Sequence, residues 1–294
     1  MAILTRLAPA KVNLFLHVGA VQPDGYHPLS SLVAFADVGD IVSVEPADRL
    51  SLTVTGPFAG GLDGQGDNLI LKALRALAAD RGMSDLPLHV TLDKRLPIAA
   101  GLGGGSSDAG AALHLANQAL GLGLSGSALE DLSRVVGADG PMCLRARPAW
   151  AEGIGERLTE APQVPSLHAV LYNPGRPSPT GAVYRAYDAD PSGDAVCPHP
   201  PSDWSPDTVI AWLARTRNDL EAPATRLEPA IAIALQDLAA QPGARFVRMS
   251  GSGATVFGLF DSATEARQAA GKLGSINGPG WTVACILGCK AASR

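Results

Sequence analysis

Val12, Leu14, Leu16 and Val18 interleave with Asn13, Phe15 and His17 near the start of the chain. This period of two predicts a strand over residues 3–19, and a second strand is expected over 32–56. Pro23-Asp24-Gly25 between them reads as a turn, because Pro presets φ and Gly accepts positive φ. Leu69, Ala73 and Leu77 share one helical face and predict a helix over 68–79, ahead of a short strand at 88–92. A glycine-rich loop then leads into a helix at 109–120, with another near 128–136. In the second half, strands are expected at 167–172, 245–249, 255–260 and 281–287, with helices at 207–215, 229–240 and 264–273. The order β-α-α-β-β-α-β suits an antiparallel sheet with helices on one face, a split βαβ arrangement in an α+β fold. Pro191, Pro198, Pro200, Pro201 and Pro206 mark 190–206 as a loop or insertion. A domain boundary is expected near residue 155, dividing 1–155 from 156–294.

Composition narrows the function classes. With 294 residues, 46% of them hydrophobic, the chain can bury a core of ordinary size. A net charge of −5 argues against a general nucleic-acid or membrane-surface binder, which needs a basic face. The four cysteines, Cys143, Cys197, Cys285 and Cys289, form no C-x-x-C pair, so a zinc site is not expected. Cys285 and Cys289 fall in an apolar run, where buried reduced thiols are common. Arg6, Pro9, Lys11 and Asn13 interrupt the apolar positions before a signal-peptide core can form, and no transmembrane stretch is seen. The expectation is a cytoplasmic protein acting on a small molecule, with no nucleic-acid or membrane partner, as a monomer or weak homodimer.

The most informative chemistry lies in Pro97-Ile98-Ala99-Ala100-Gly101-Leu102-Gly103-Gly104-Gly105-Ser106-Ser107-Asp108. Four glycines and two serines occupy positions 101–107, just before an apolar helical pattern. Glycines let a ligand approach backbone N–H groups, and a helix N-terminus favours negative charge, so a polyphosphate is the natural guest. The run is not a P-loop, because no Lys follows the glycines, and its spacing is not the dinucleotide fingerprint. Ser106, Ser107 and Asp108 are all good N-cap residues. Ser107 is either a plain cap or a group that also helps hold Mg²⁺. Lys11 is an edge-strand charge or a catalytic cation. Asp139, between Gly137-Ala138 and Gly140-Pro141, is a turn or cap residue or a general base. A carboxylate beside an ammonium makes a sound pair for deprotonating a hydroxyl.

The glycine run resembles the second motif of the GHMP small-molecule kinases, where the loop wraps the ATP phosphates. The resemblance runs along nearly the whole chain. It includes Ala8-Pro9-Ala10-Lys11-Val12-Asn13-Leu14, Asp67-Asn68-Leu69-Ile70, Gly137-Ala138-Asp139, Asn173-Pro174-Gly175 and the stretch from Met249 to Phe257. Asp24-Gly25-Tyr26-His27 and Asn218-Asp219-Leu220-Glu221 narrow it to the branch acting on a cytidine diphosphate-linked methylerythritol. The resemblance implies a two-domain fold: a ribosomal-S5-like N-terminal ATP-binding domain, and a ferredoxin-like C-terminal domain contributing to the substrate cleft. It implies ATP and Mg²⁺ as cofactors and phosphorylation of the acceptor's 2-hydroxyl on the non-mevalonate isoprenoid route. Lys11 and Asp139 then match the catalytic pair. Pro97, Gly101, Leu102, Gly103, Gly104, Gly105, Ser106, Ser107 and Asn68 match nucleotide-binding positions. Asn13, Tyr26, His27, Thr180 and Tyr184 match substrate positions, with Tyr26, His27 and Tyr184 around the cytosine. The loop 250–253 resembles a third motif that approaches the glycine loop, with a plain hairpin turn as the lesser alternative.

Two stretches depart from the family pattern. Gly140-Pro141-Met142 stands where Val-Pro-Phe is usual, and the extra Gly is expected to loosen the backbone beside Asp139. Arg145-Ala146-Arg147-Pro148 replaces a glycine-rich segment, its arginines lying on the surface or near a diphosphate, with the surface favoured. Another kinase of the family, acting on homoserine or a mevalonate derivative, and a nucleotide-binding non-enzymatic member are the alternatives.

Overall fold

The structure, a computed structural model, describes residues 3–62, 68–191, 193–276 and 280–288. In chain order the elements are β1 (Leu4–Val18), β2 (Leu29–Pro46), β3 (Ser51–Thr55), α1 (Leu69–Asp80), β4 (Leu88–Asp93), α2 (Gly104–Ala119), α3 (Gly126–Ser133) and α4 (Gly140–Arg145). There follow β5 (Ala149–Gly153), β6 (Arg157–Glu160), β7 (Leu167–Asn173), α5 (Thr180–Asp188), α6 (Pro206–Leu213), α7 (Glu221–Leu227) and α8 (Pro229–Ala239). The last are β8 (Ala244–Met249), β9 (Val256–Phe260), α9 (Ala263–Ile276) and β10 (Trp281–Leu287). They form two compact units that interleave along the sequence, where the expected division had one boundary near residue 155. One unit comprises residues 1–10, 38–98 and 103–146, and the other 11–37, 99–102 and 147–294. The interleaving follows from the length of β1 and β2, each of which contributes a segment to both units.

In the first unit, β4 pairs antiparallel with β2 and parallel with β3. Val42, Val44, Val90 and Leu92 from these strands share a core with Ile70, Leu74 and Leu77 of α1 and Ala109, Ala112 and Leu113 of α2. The strand expected over 32–56 is two strands. β2 ends at Pro46, and the chain bends through residues 47–50 before β3 begins at Ser51. The helix expected from 109 starts five residues earlier, at Gly104. The glycines tolerate this because they pack closely: a Cβ on Gly104 would lie 3.1 Å from Lys94 Nζ, and one on Gly105 3.1 Å from Leu69 Cδ1. Tertiary contact here overrides the poor helix propensity of glycine.

In the second unit, β10, β7, β9 and β8 lie side by side in that order, all antiparallel. Numbered by chain order within this sheet, that is 4-1-3-2, the split βαβ order expected from the sequence. Val170, Val256 and Phe260 share a core with Ile231 and Leu238 of α8 and Ala266, Ala269 and Leu273 of α9. β4, β7, β8, β9 and β10 fall where the periodicity puts them, but α4, α5, α7, β5 and β6 were not read from it. Between Asp188 and Pro206 the described residues form no regular element. Cys143 and Cys285 are buried and Cys197 is exposed, all three as free thiols, while Cys289 lies outside the described residues. Among the described residues no helix is long and apolar enough to cross a membrane.

Candidate active site

The glycine run earns its shape from left-handed backbone. φ is +51° at Ala99, +73° at Gly101 and +62° at Gly103. Glycine takes this conformation without the strain a side chain would bring, which suits Gly101 and Gly103 to their positions. Gly103 is the N-cap of α2 and makes no side-chain capping bond. Ser107 is the first residue to donate within the helix, to the Gly103 carbonyl at 2.9 Å. Helix geometry therefore leaves the N–H groups of residues 103–106 without intrahelical partners. Ser106, Ser107 and Asp108, expected as caps, instead lie inside the first turns of α2. Ser107 Oγ is buried and has no hydrogen-bond partner among the described residues, so the plain-cap reading of Ser107 fails.

A buried charge cluster, not found from the sequence, braces this helix start. Lys94 Nζ donates to Asp40 Oδ2 at 2.6 Å and to Asp108 Oδ2 at 2.8 Å, all three residues being buried. Asp40 Oδ1 also accepts the N–H groups of Arg95 and Leu96, at 2.6 and 2.8 Å. Lys94 thus ties the residues just before the glycine run to those just after it. Burial pushes the Asp108 carboxyl up to about 8, against the pull of Lys94, and Asp40 adds to the rise. No linear motif signals this cluster, because its members are far apart along the chain.

Asp139 precedes α4, whose packing places it. A Cβ on Gly110 would come within 2.9 Å of Leu144 Cα, so only glycine lets α4 approach α2 so closely. The Cys143 thiol reaches the Gly103 carbonyl at 3.8 Å, and Cys143 N–H donates to the Asp139 carbonyl at 2.9 Å. The Asp139 carboxylate makes no capping bond. Gly140 does not loosen this segment as expected. It is buried, and a Cβ there would meet the Ser133 carbonyl at 2.1 Å, so glycine permits a close contact. Arg145 forms a two-pronged pair with Glu130, both bonds 2.7 Å, and Arg147 faces Glu160 at 3.8 Å. Asn68 caps α1 through its Oδ1, which accepts the Ile70 N–H at 2.9 Å. It also lines a cavity of about 560 Å³ with Arg49, Leu52, Leu71 and Arg75. Asp67 lies outside the described residues.

In the second unit, residues 99–102 are held by the 250–255 loop. Ser250 Oγ donates to the Gly101 carbonyl at 3.0 Å, and Thr255 N–H to the Ala100 carbonyl at 3.1 Å. A Cβ on Gly101 would meet the Ser250 carbonyl at 2.3 Å. Lys11 donates its backbone N–H to the Leu102 carbonyl at 2.8 Å and is 7% exposed, which rules out a solvated edge charge. Asn13 accompanies it: its Nδ2 donates to Ser31 Oγ at 2.8 Å, and its buried Oδ1 has no partner. Asn218 Nδ2 donates to the carbonyls of Met249 and Gly251, at 2.9 and 2.8 Å, and Glu221 accepts the Met249 N–H. The Asn-Asp-Leu-Glu element therefore supports the 250–253 loop. That loop is more than a hairpin turn, since its serines bond to other segments.

Two of the residues matched to the cytosine, His27 and Tyr184, meet within this unit. The His27 imidazole lies 4.8 Å from the Tyr184 ring, tilted by 45°, and His27 Nε2 is 2.6 Å from Asp188 Oδ1. Tyr26 is 58% exposed. Thr180 Oγ1 pairs with Ser252 Oγ at 2.9 Å. His27 and Tyr184 touch directly, so a base would not lie between those two rings in this arrangement.

Two family descriptions match the chain: GHMP kinases N terminal domain over residues 68–146, and GHMP kinases C terminal over 208–279. A protein of Caulobacter vibrioides named 4-diphosphocytidyl-2-C-methyl-D-erythritol kinase is 54% identical over 97% of this chain and 99% of its own length. The chain belongs to the GHMP kinases. A protein of the same name from Methylobacterium radiotolerans is 48% identical, over 97% of this chain and 98% of that protein. A crystal structure of 4-(cytidine 5'-diphospho)-2C-methyl-D-erythritol kinase superposes with a TM-score of 0.77 at 39% identity, covering 98% of this chain and 100% of that one. This GHMP kinase is thus an enzyme of phosphoryl transfer to a small molecule, in the α+β fold of its family.

Proposed function

We propose that this GHMP kinase transfers the γ-phosphoryl group of ATP to the 2-hydroxyl of 4-diphosphocytidyl-2-C-methyl-D-erythritol, on the non-mevalonate isoprenoid route. The observation that carries the substrate is likeness over nearly the full length to proteins bearing that enzyme's name. The local geometry supports the phosphate end of this reading, and the remaining roles follow the resemblance. The open N–H groups at the start of α2 suit the phosphates, with Gly101, Leu102, Gly103, Gly104, Gly105, Ser106 and Pro97 shaping the loop. Asn68 serves near the adenine. Asp139 takes the proton as the acceptor oxygen bonds to the γ-phosphorus and the bridge to ADP breaks. Lys11 offsets the charge that develops on that oxygen. Asn13 has an unpaired buried oxygen with which to orient the acceptor.

Mg²⁺ fits one feature of this chain, the unpartnered buried Ser107 Oγ. Among the described residues no group of three or more His, Cys, Asp or Glu side chains is arranged to hold a metal. Phosphate and water oxygens would then fill most of the ion's shell, which is common for Mg²⁺. The ion would supply neutralisation of phosphate charge. Tyr26, His27, Thr180 and Tyr184 hold the cytidine end.

The test is an ADP-release assay with Mg-ATP and the cytidine compound, followed by phosphorus NMR of the product. ADP release with a new 2-phosphomonoester signal is expected. ATP binding without turnover would support a different acceptor or a non-enzymatic role. In the same assay, His27→Ala should raise the acceptor KM far more than the ATP KM.

A further inference from the structure

The imidazole of His27 is held from one side by a single helix. Tyr184 and Asp188 are four residues apart on α5, so they share a face, and Tyr187 lies one position from Asp188. The Tyr187 ring meets His27 edge-on at 6.0 Å, and its hydroxyl donates to the Val18 carbonyl, which pins α5 to β1. The His27 side chain is 8% exposed. Nε2 faces Asp188 Oδ1 at 2.6 Å, while Nδ1 has no hydrogen bond among the described residues.

A carboxylate only accepts, so Nε2 must carry the proton that it receives. In the neutral ring, Nδ1 is then an acceptor, since the partner of one nitrogen decides the state of the other. Cytosine offers an exocyclic amino donor where uracil offers a carbonyl acceptor. An acceptor Nδ1 pairs with the first and opposes the lone pairs of the second. The geometry points to Asp188 as a positioning residue that, by fixing His27 with Nδ1 as acceptor, makes the site select cytosine over uracil. This rests on the proposed function, which places the pyrimidine at His27. Asp188 need not touch the substrate to act.

The test combines ring NMR with kinetics on the whole enzyme. Nitrogen chemical shifts of the His27 ring should show the proton on Nε2 in the wild type. Cytidine- and uridine-linked acceptors are then compared. The wild type should prefer the cytidine compound by about 100-fold or more, and Asp188→Ala should cut that preference by about tenfold through the acceptor KM. The ATP KM should not move. Asp188→Asn, whose amide oxygen still accepts, should restore most of the preference. A proton on Nδ1 in the wild type overturns the inference, as does an unchanged base preference in Asp188→Ala or an equal shift of both KM values. No turnover of the cytidine compound by the wild type overturns the proposed function, and this inference with it. Turnover with an unchanged preference overturns the inference alone.

Discussion

Two stretches of this chain are rich in glycine and serine, and their buried serine hydroxyls end up in opposite hydrogen-bonding states. At the start of α2, the N–H groups of 103–106 lack intrahelical partners, Ser107 Oγ has no partner, and a lysine is buried alongside. In the 250–255 loop the serine hydroxyls and several carbonyls are engaged. Ser250 Oγ binds the Gly101 carbonyl, Ser178 Oγ donates to the Ser252 carbonyl at 2.6 Å, and Asn218 holds the carbonyls on either side of Ser250. Composition alone does not separate the two. Donors left open in a well-ordered setting mark a place for a ligand, because orphaned polar groups cost stability that binding recovers. Serine hydroxyls satisfied within the chain mark a brace.

Substitutions break or sharpen this contrast. The largest effect belongs to Asp139→Asn, at the N-terminus of α4, which packs on α2. The mutation should lower kcat by roughly 100- to 10,000-fold, the worth of a general base, while circular dichroism and melting temperature stay near wild type. Near-normal turnover would remove Asp139 from the chemistry.

Lys94→Met comes next, since it leaves Asp40 and Asp108 buried without their cation. A loss of about 3–5 kcal/mol is expected in urea unfolding, together with a raised ATP KM. A stable variant with normal ATP affinity would show that the cluster does not set the helix start. Asn218→Ala probes the brace. It should cost about 1–3 kcal/mol, the penalty for two buried carbonyls losing their donor, with little change in ATP KM. A change in ATP KM larger than the stability loss would mean that the 250–255 loop meets the nucleotide, and the contrast would fail.

The smallest effect is expected at Arg145→Ala. The hydrogen bonds of Arg145 hold the Glu130 carboxyl below its usual value. A depressed carboxylate contributes stability above its unfolded pKa near 4.5 and loses it as pH falls through the lower folded value. The pair is partly exposed, so Arg145→Ala should cost below about 1 kcal/mol at neutral pH and nothing once Glu130 is protonated in both states. Melting curves from pH 7 down to pH 3 would show the gap closing. A larger cost at neutral pH, with impaired acceptor binding, would revive Arg145 as a substrate residue.

Local pattern determined a good deal here. Period-two alternation marks β1, apolar spacing marks α1, and the order of elements after residue 167 implies the 4-1-3-2 sheet, because side-chain periodicity is a property of consecutive residues. The glycine run pointed to an anion site for the same reason. What the sequence did not reveal depends on residues distant along the chain. Helix α2 starts at Gly104 because Lys94 and Leu69 pack against bare backbone. Gly140 is a close contact with Ser133, not a loosened hinge. Asp40 and Lys94 look like ordinary surface charges in the linear text, as does Asp188. Only the tertiary structure brings Lys94 to two aspartates and Asp188 to His27, because burial and partnership are set by packing between segments that the chain order keeps apart.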